Sequence, residues 1–99
     1  MKQFAVLGEK LSHTLSPQIH GEIFKSLGLN HQYGILEVEK NELSGLPDTL
    51  HSRGLSGINV TIPYKQSVIP MLNFISPEAK RIGAVNTVKI ENGKLLGYN

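Results

Sequence analysis

Short apolar runs closed by glycine or proline alternate with helix-patterned stretches along this chain, and that alternation restricts it to an α/β architecture. "QFAVLG" (3–8) reads as a buried strand ending at Gly8. In "SPQIHGEIFKSLG", Ser16 is a fitting N-cap, Pro17 takes the first helical position and Gly28 can close the helix. Ile19, Ile23, Phe24 and Leu27 then fall on one helical face. "HQYGILEV" (31–38) predicts a second strand, and 40–54 a helix interrupted or restarted near Gly45 and Pro47. "GINVTI" (57–62) predicts a third strand. A helix of undefined length is expected after Pro63, although Pro70 falls inside it. The Ser-Pro start and acidic first turn of 76–83 predict a short helix. Strands are expected at 84–90 and 94–98, joined by a tight turn at Asn92-Gly93. The expected fold is a three-layer α/β/α domain over residues 1–99, with a mostly parallel sheet and a C-terminal antiparallel hairpin.

Composition narrows the function. The net charge is only +2 and the ten Lys and Arg residues form no run, so neither a nucleic-acid surface nor a basic tail is indicated. Cysteine is absent, which removes disulfides and thiolate metal sites and fits a reducing compartment, here the cytoplasm. His13, His20, His31 and His51 share no metal-ligand spacing, so no metal is expected. "MKQFAVLG" has no cleavage-type signal, and no apolar stretch approaches the ~20 residues that span a membrane. There is no Gly-rich dinucleotide fingerprint, Walker loop or nucleophile elbow, so no cofactor is expected on these 99 residues.

Three segments carry chemistry-bearing groups where a core would use hydrocarbon. In "GINVTIPYK" (57–65), strand alternation puts Asn59 and Thr61 on one face, near the carboxyl end at which open α/β sheets bind ligands. Lys65 follows at the expected start of a helix, where the positive macrodipole favours proton release or anion binding by an ammonium. A solvated strand face and a surface lysine are the plainer alternative. In "SHTLSPQIH", the hydroxyls of Ser12, Thr14 and Ser16 precede a helix N-terminus, a place suited to a carboxylate or phosphate, although capping alone accounts for Ser16. In "AVNTVKI", Asn86 interrupts an apolar strand, and its amide must bond either backbone or a polar ligand.

"SHTLSPQIH", "GINVTIPYK", "IGAVNTV" and the closing "GYN", in this order and spacing, resemble the N-terminal substrate-binding domain of the shikimate dehydrogenase family across the whole chain. The resemblance implies an enzyme that reduces 3-dehydroshikimate to shikimate with NADPH in aromatic amino acid synthesis. It implies that Thr14 and Ser16 hold the substrate carboxylate and that Asn59, Thr61 and Asn86 line the pocket. It further implies that Lys65 is the catalytic lysine, exchanging a proton with the oxygen at the carbon that gains or loses hydride. Thr14 stands where many members have serine, which keeps the hydroxyl and adds a methyl. The family's Thr-Asp after "GYN", its nucleotide-binding domain and its returning C-terminal helix are not in these 99 residues. A fragment inactive alone is therefore expected, with an apolar face free to self-associate. Quinate-using relatives, and a non-redox binding module on the same fold, are the alternatives.

Overall fold

In the computed structural model of the chain, residues 2–9 and 32–99 are described. Among the described residues, six strands form one sheet: β1 (Gln3–Gly8), β2 (Gln32–Glu37), β3 (Gly57–Val60), β4 (Phe74–Ile75), β5 (Thr87–Glu91) and β6 (Lys94–Tyr98). Their order across the sheet is β2-β1-β3-β5-β6-β4. β1 pairs in parallel with β2 and β3, and β4 with β6, whereas β5 is antiparallel to both β3 and β6. Five strands thus run one way and β5 runs against them, the mostly parallel sheet expected.

The reversal of β5 follows from the element before it. α2 (Pro77–Ile82) has six residues and so covers only about 9 Å at 1.5 Å per residue. The whole connection from β4 to β5, residues 76–86, is also shorter than the dozen or more residues that a parallel crossover takes, so no further parallel pass is made. The chain re-enters the sheet from the end at which it left.

α1 (Leu46–Ser52) follows directly on a 3-10 helix, Lys40–Gly45, with Pro47 in its first turn. This is the interruption expected near Gly45. α2 starts and stops on local signals: the Ser76 hydroxyl accepts from the Ala79 amide at 3.2 Å, and Gly83 closes the helix at φ 79°. Asn92 and Gly93 both take positive φ, 52° and 77°, as a tight hairpin turn requires.

Four expectations change. β5 begins at Thr87 rather than at 84, so Asn86 lies just ahead of the strand, where its backbone amide donates to the Tyr98 carbonyl and its carbonyl accepts from Val60. β3 ends at Val60 rather than at Ile62. Thr61 still donates its amide to the Leu7 carbonyl at 2.9 Å, but its own carbonyl accepts from Tyr64 in a turn, and Pro63 has no amide to extend the ladder. No α-helix follows Pro63. Val68 donates to the Tyr64 carbonyl, then Ile69 to Gln66, and a 3-10 helix occupies Ile69–Met71. Pro70 cannot donate to Gln66, so the ladder of i to i−4 bonds does not propagate. β4, two residues long, was not foreseen.

Alternation sorts the side chains by face. Ala5, Leu7, Leu36, Ile58, Val60, Val88 and Leu95 point to one side. There they form one buried core with Leu43, Leu46, Leu50, Tyr64, Val68, Ala79 and Val85. α1 and α2 therefore cover this face. The opposite face carries Phe4, Val6, Ile35, Asn59, Thr87, Leu96 and Tyr98. The helix expected over 16–28, which would supply the third layer, lies outside the described residues.

Candidate functional site

β1 and β3 end side by side, and the reversed β5 begins at that same end. The backbone fastens these ends together: Val60 donates to the Asn86 carbonyl at 2.8 Å, Asn86 to Tyr98 at 3.0 Å, and Val85 to the Lys65 carbonyl at 2.8 Å. The segments carrying Asn59, Thr61, Lys65 and Asn86, 27 positions apart from first to last in the chain (86 − 59), are thereby held at one end of the sheet.

An open groove of about 700 Å³ runs over the face opposite the core, lined by Phe4, Asn59, Asn86, Thr87, Tyr98 and Asn99 among others. Asn59 and Asn86 are both half-buried in it. The Asn59 amide Nδ2 donates to Thr87 Oγ1 at 3.5 Å, and Thr87 Oγ1 donates to Asn86 Oδ1 at 3.1 Å. Asn99 Nδ2 donates to the Ala84 carbonyl at 3.0 Å, holding the end of β6 beside the start of β5. Thr61, half-buried, and Lys65, exposed, follow at the same end of the sheet without lining the groove. Since no α-helix begins at Lys65, the macrodipole expected beside its ammonium is absent. Thr14 and Ser16 lie outside the described residues.

Tyr64 anchors the turn that carries Lys65. Its ring is 1% exposed, and its hydroxyl donates to the Val38 carbonyl just past the carboxyl end of β2. Burial, aided by the charges of Glu9 and Glu39, raises the phenol above its ordinary pKa of 10.0. With its side chain in the core and the next carbonyl bound to Val85, the lysine backbone is fixed on both sides.

Thr87 and Tyr98 belong to this site although pattern reading did not single them out. Thr87 stands opposite Asn59 on β3 and opposite Tyr98 on β6. Only the antiparallel register of β5 reveals those pairings. Among the described residues, no group of three or more His, Cys, Asp or Glu side chains is placed to hold a metal, and no helix is long and apolar enough to cross a membrane.

The fold and groove define an α/β domain that gathers amides and hydroxyls at the carboxyl end of a mostly parallel sheet, the arrangement of a polar small-molecule site. The sequence profile of the shikimate dehydrogenase substrate binding domain matches residues 6–88, and the chain belongs to that family. It is 52% identical over 99 residues to a shikimate dehydrogenase (NADP(+)) of Clostridium beijerinckii, covering all of this chain and 37% of that protein. Shikimate dehydrogenase 1 from Peptoclostridium difficile superposes with a TM-score of 0.96 at 47% identity, over 100% of this chain and 37% of that one. The Thermus thermophilus shikimate 5-dehydrogenase, solved in complex with NADP(H) and shikimate, gives 0.92 at 41% identity, over 100% and 38%. This chain thus spans little more than a third of the length of these relatives.

Proposed function

We propose that this chain is the substrate-binding domain of a cytoplasmic, NADP-dependent shikimate dehydrogenase, and that it holds shikimate or 3-dehydroshikimate at the carboxyl end of its sheet. The observation that supports the reading most is the meeting of Asn59 and Asn86 through Thr87 in one groove, beside the backbone-fixed Lys65. Thr14 and Ser16 take the substrate carboxylate. Asn59, Thr61 and Asn86 bond ring oxygens, and Lys65 polarises the carbonyl and exchanges the proton at that oxygen. NADP supplies or accepts the hydride when bound. These 99 residues contain no Gly-rich strand-to-helix turn to receive it, so the nucleotide is assigned to no residue of this chain.

The decisive preparation is a chimera in which this chain replaces the matching segment of the Clostridium beijerinckii relative. Shikimate-dependent reduction of NADP by the chimera, with none from the 99-residue chain alone, is the expected result. A folded chimera inert toward shikimate contradicts the reading.

The sheet face opposite the core carries Ile35, Phe74 and Tyr98, which are 42%, 46% and 37% exposed, with the Phe74 and Tyr98 rings 6.0 Å apart. Self-association of the 99-residue chain through this face is expected. Sedimentation as a monomer at high protein concentration would contradict it.

A further inference from the structure

We propose that Thr87 is a positioning residue that fixes the polarity of the Asn86 amide, so that the groove offers a donor at that point and selects a ligand oxygen with a free lone pair. This deepens the shikimate reading above and rests on it for the identity of the ligand.

A threonine hydroxyl has a single hydrogen to give. The Asn59 Nδ2 group donates to Thr87 Oγ1, which occupies a lone pair there and directs the hydroxyl hydrogen elsewhere. It goes to Asn86 Oδ1 at 3.1 Å. The asparagine amide has one oxygen and one nitrogen end, so satisfying Oδ1 inside the protein turns the NH2 group away from Thr87. Among the described residues Asn86 Nδ2 has no hydrogen-bond partner, and Asn86 lines the groove together with Asn59 and Thr87. Donation thus runs one way, from Asn59 through Thr87 to Asn86, and the ligand-facing end of Asn86 can only donate. A hydroxyl or carbonyl oxygen satisfies it, and an ammonium in the same place does not.

The sheet makes this chain of donors possible. Thr87 is the first residue of β5, directly opposite Asn59 on β3, and Asn86 precedes it with its carbonyl bound to the Val60 amide. A parallel β5 would bring a different register and would not set this hydroxyl between the two amides. Valine at 87 keeps the β-branched shape and the strand preference while removing the hydrogen, so Asn86 would then be free to turn its oxygen into the groove.

Two measurements test the assignment. In the 99-residue chain, nitrogen-15 NMR reads the side-chain NH2 groups of Asn59 and Asn86 directly. Thr87→Val is expected to shift both, Thr87→Ser to restore both, and Thr87→Ala to match Thr87→Val if the valine variant folds poorly. Unmoved Asn86 resonances in folded Thr87→Val or Thr87→Ala protein overturn the positioning role, whatever the ligand is. In the chimera, Thr87→Val is expected to raise the shikimate KM about tenfold while kcat changes less than about twofold, as for one buried hydrogen bond lost from binding, and Thr87→Ser to recover the KM. A fall in kcat at constant KM, or no recovery with serine, overturns the selection of a ligand oxygen. If the chimera with the unaltered chain ignores shikimate, the shikimate reading fails, and the NH2 resonances alone decide for or against Thr87.

Discussion

Tyr64 shows at a single residue how the core of this domain serves its edge. The ring fills the hydrocarbon interior, the hydroxyl satisfies the Val38 carbonyl, and the next residue is the lysine on which the proposed chemistry depends. Removing the hydroxyl leaves that carbonyl short of a donor, so Tyr64→Phe is expected to cost about 1–3 kcal/mol at neutral pH by urea denaturation. The pH dependence has a definite sign. The folded-state phenol titrates above the 10.0 of an unfolded tyrosine, so the native state holds its proton after the unfolded chain has released one. This contribution is complete below pH 10 and is lost as pH rises through 10 toward the folded value. Stability of the parent chain should therefore fall more steeply above about pH 10 than that of Tyr64→Phe, because every other group is common to both and cancels in the difference. Parallel alkaline curves would refute it.

The elements themselves divide into those held by local signals and those held by distant pairing. Ser76→Ala removes the cap of α2 and is expected to destabilise the chain by about 1 kcal/mol, measured as a shift in the urea midpoint. Gly97→Ala tests the packing behind the hairpin. An added Cβ would lie 2.4 Å from Leu72 Cδ1 and 3.1 Å from Val85 Cγ2. Leu72 is half-buried and can swing aside, but Val85 is β-branched and wholly buried, so a loss of about 1–3 kcal/mol is expected. The sequence announces Ser76, the break near Gly45 and the Asn92-Gly93 turn because each acts on backbone within a few residues. It does not announce β4, whose Phe74 and Ile75 are strand only because Leu96 and Gly97 lie alongside. Nor does it announce the direction of β5, which depends on how short the connection from β4 is. The candidate site divides in the same way. Asn59 stands out as a polar interruption of an apolar strand and Asn86 as an amide in an apolar run just ahead of one, whereas Thr87 is an ordinary strand residue until the register sets it opposite Asn59, 28 positions away.

Across the whole molecule, one face of the sheet is spent on the core and the other holds the groove, and the strand ends bring the two together. The reversed β5 lets Asn86 and Thr87 enter the site from the same end as the termini of β1 and β3. The turn after Pro63 then places Lys65 beside them through its bond to Val85. In the proposed function this lysine moves a proton during hydride exchange. Steady-state kinetics of Lys65→Ala in the chimera test it most directly. A lost proton donor should lower kcat by about 10²–10⁴ while the shikimate KM changes far less. Near-normal kcat in a folded Lys65→Ala chimera would rule out proton transfer by this lysine, even with the groove and its ligand correctly placed.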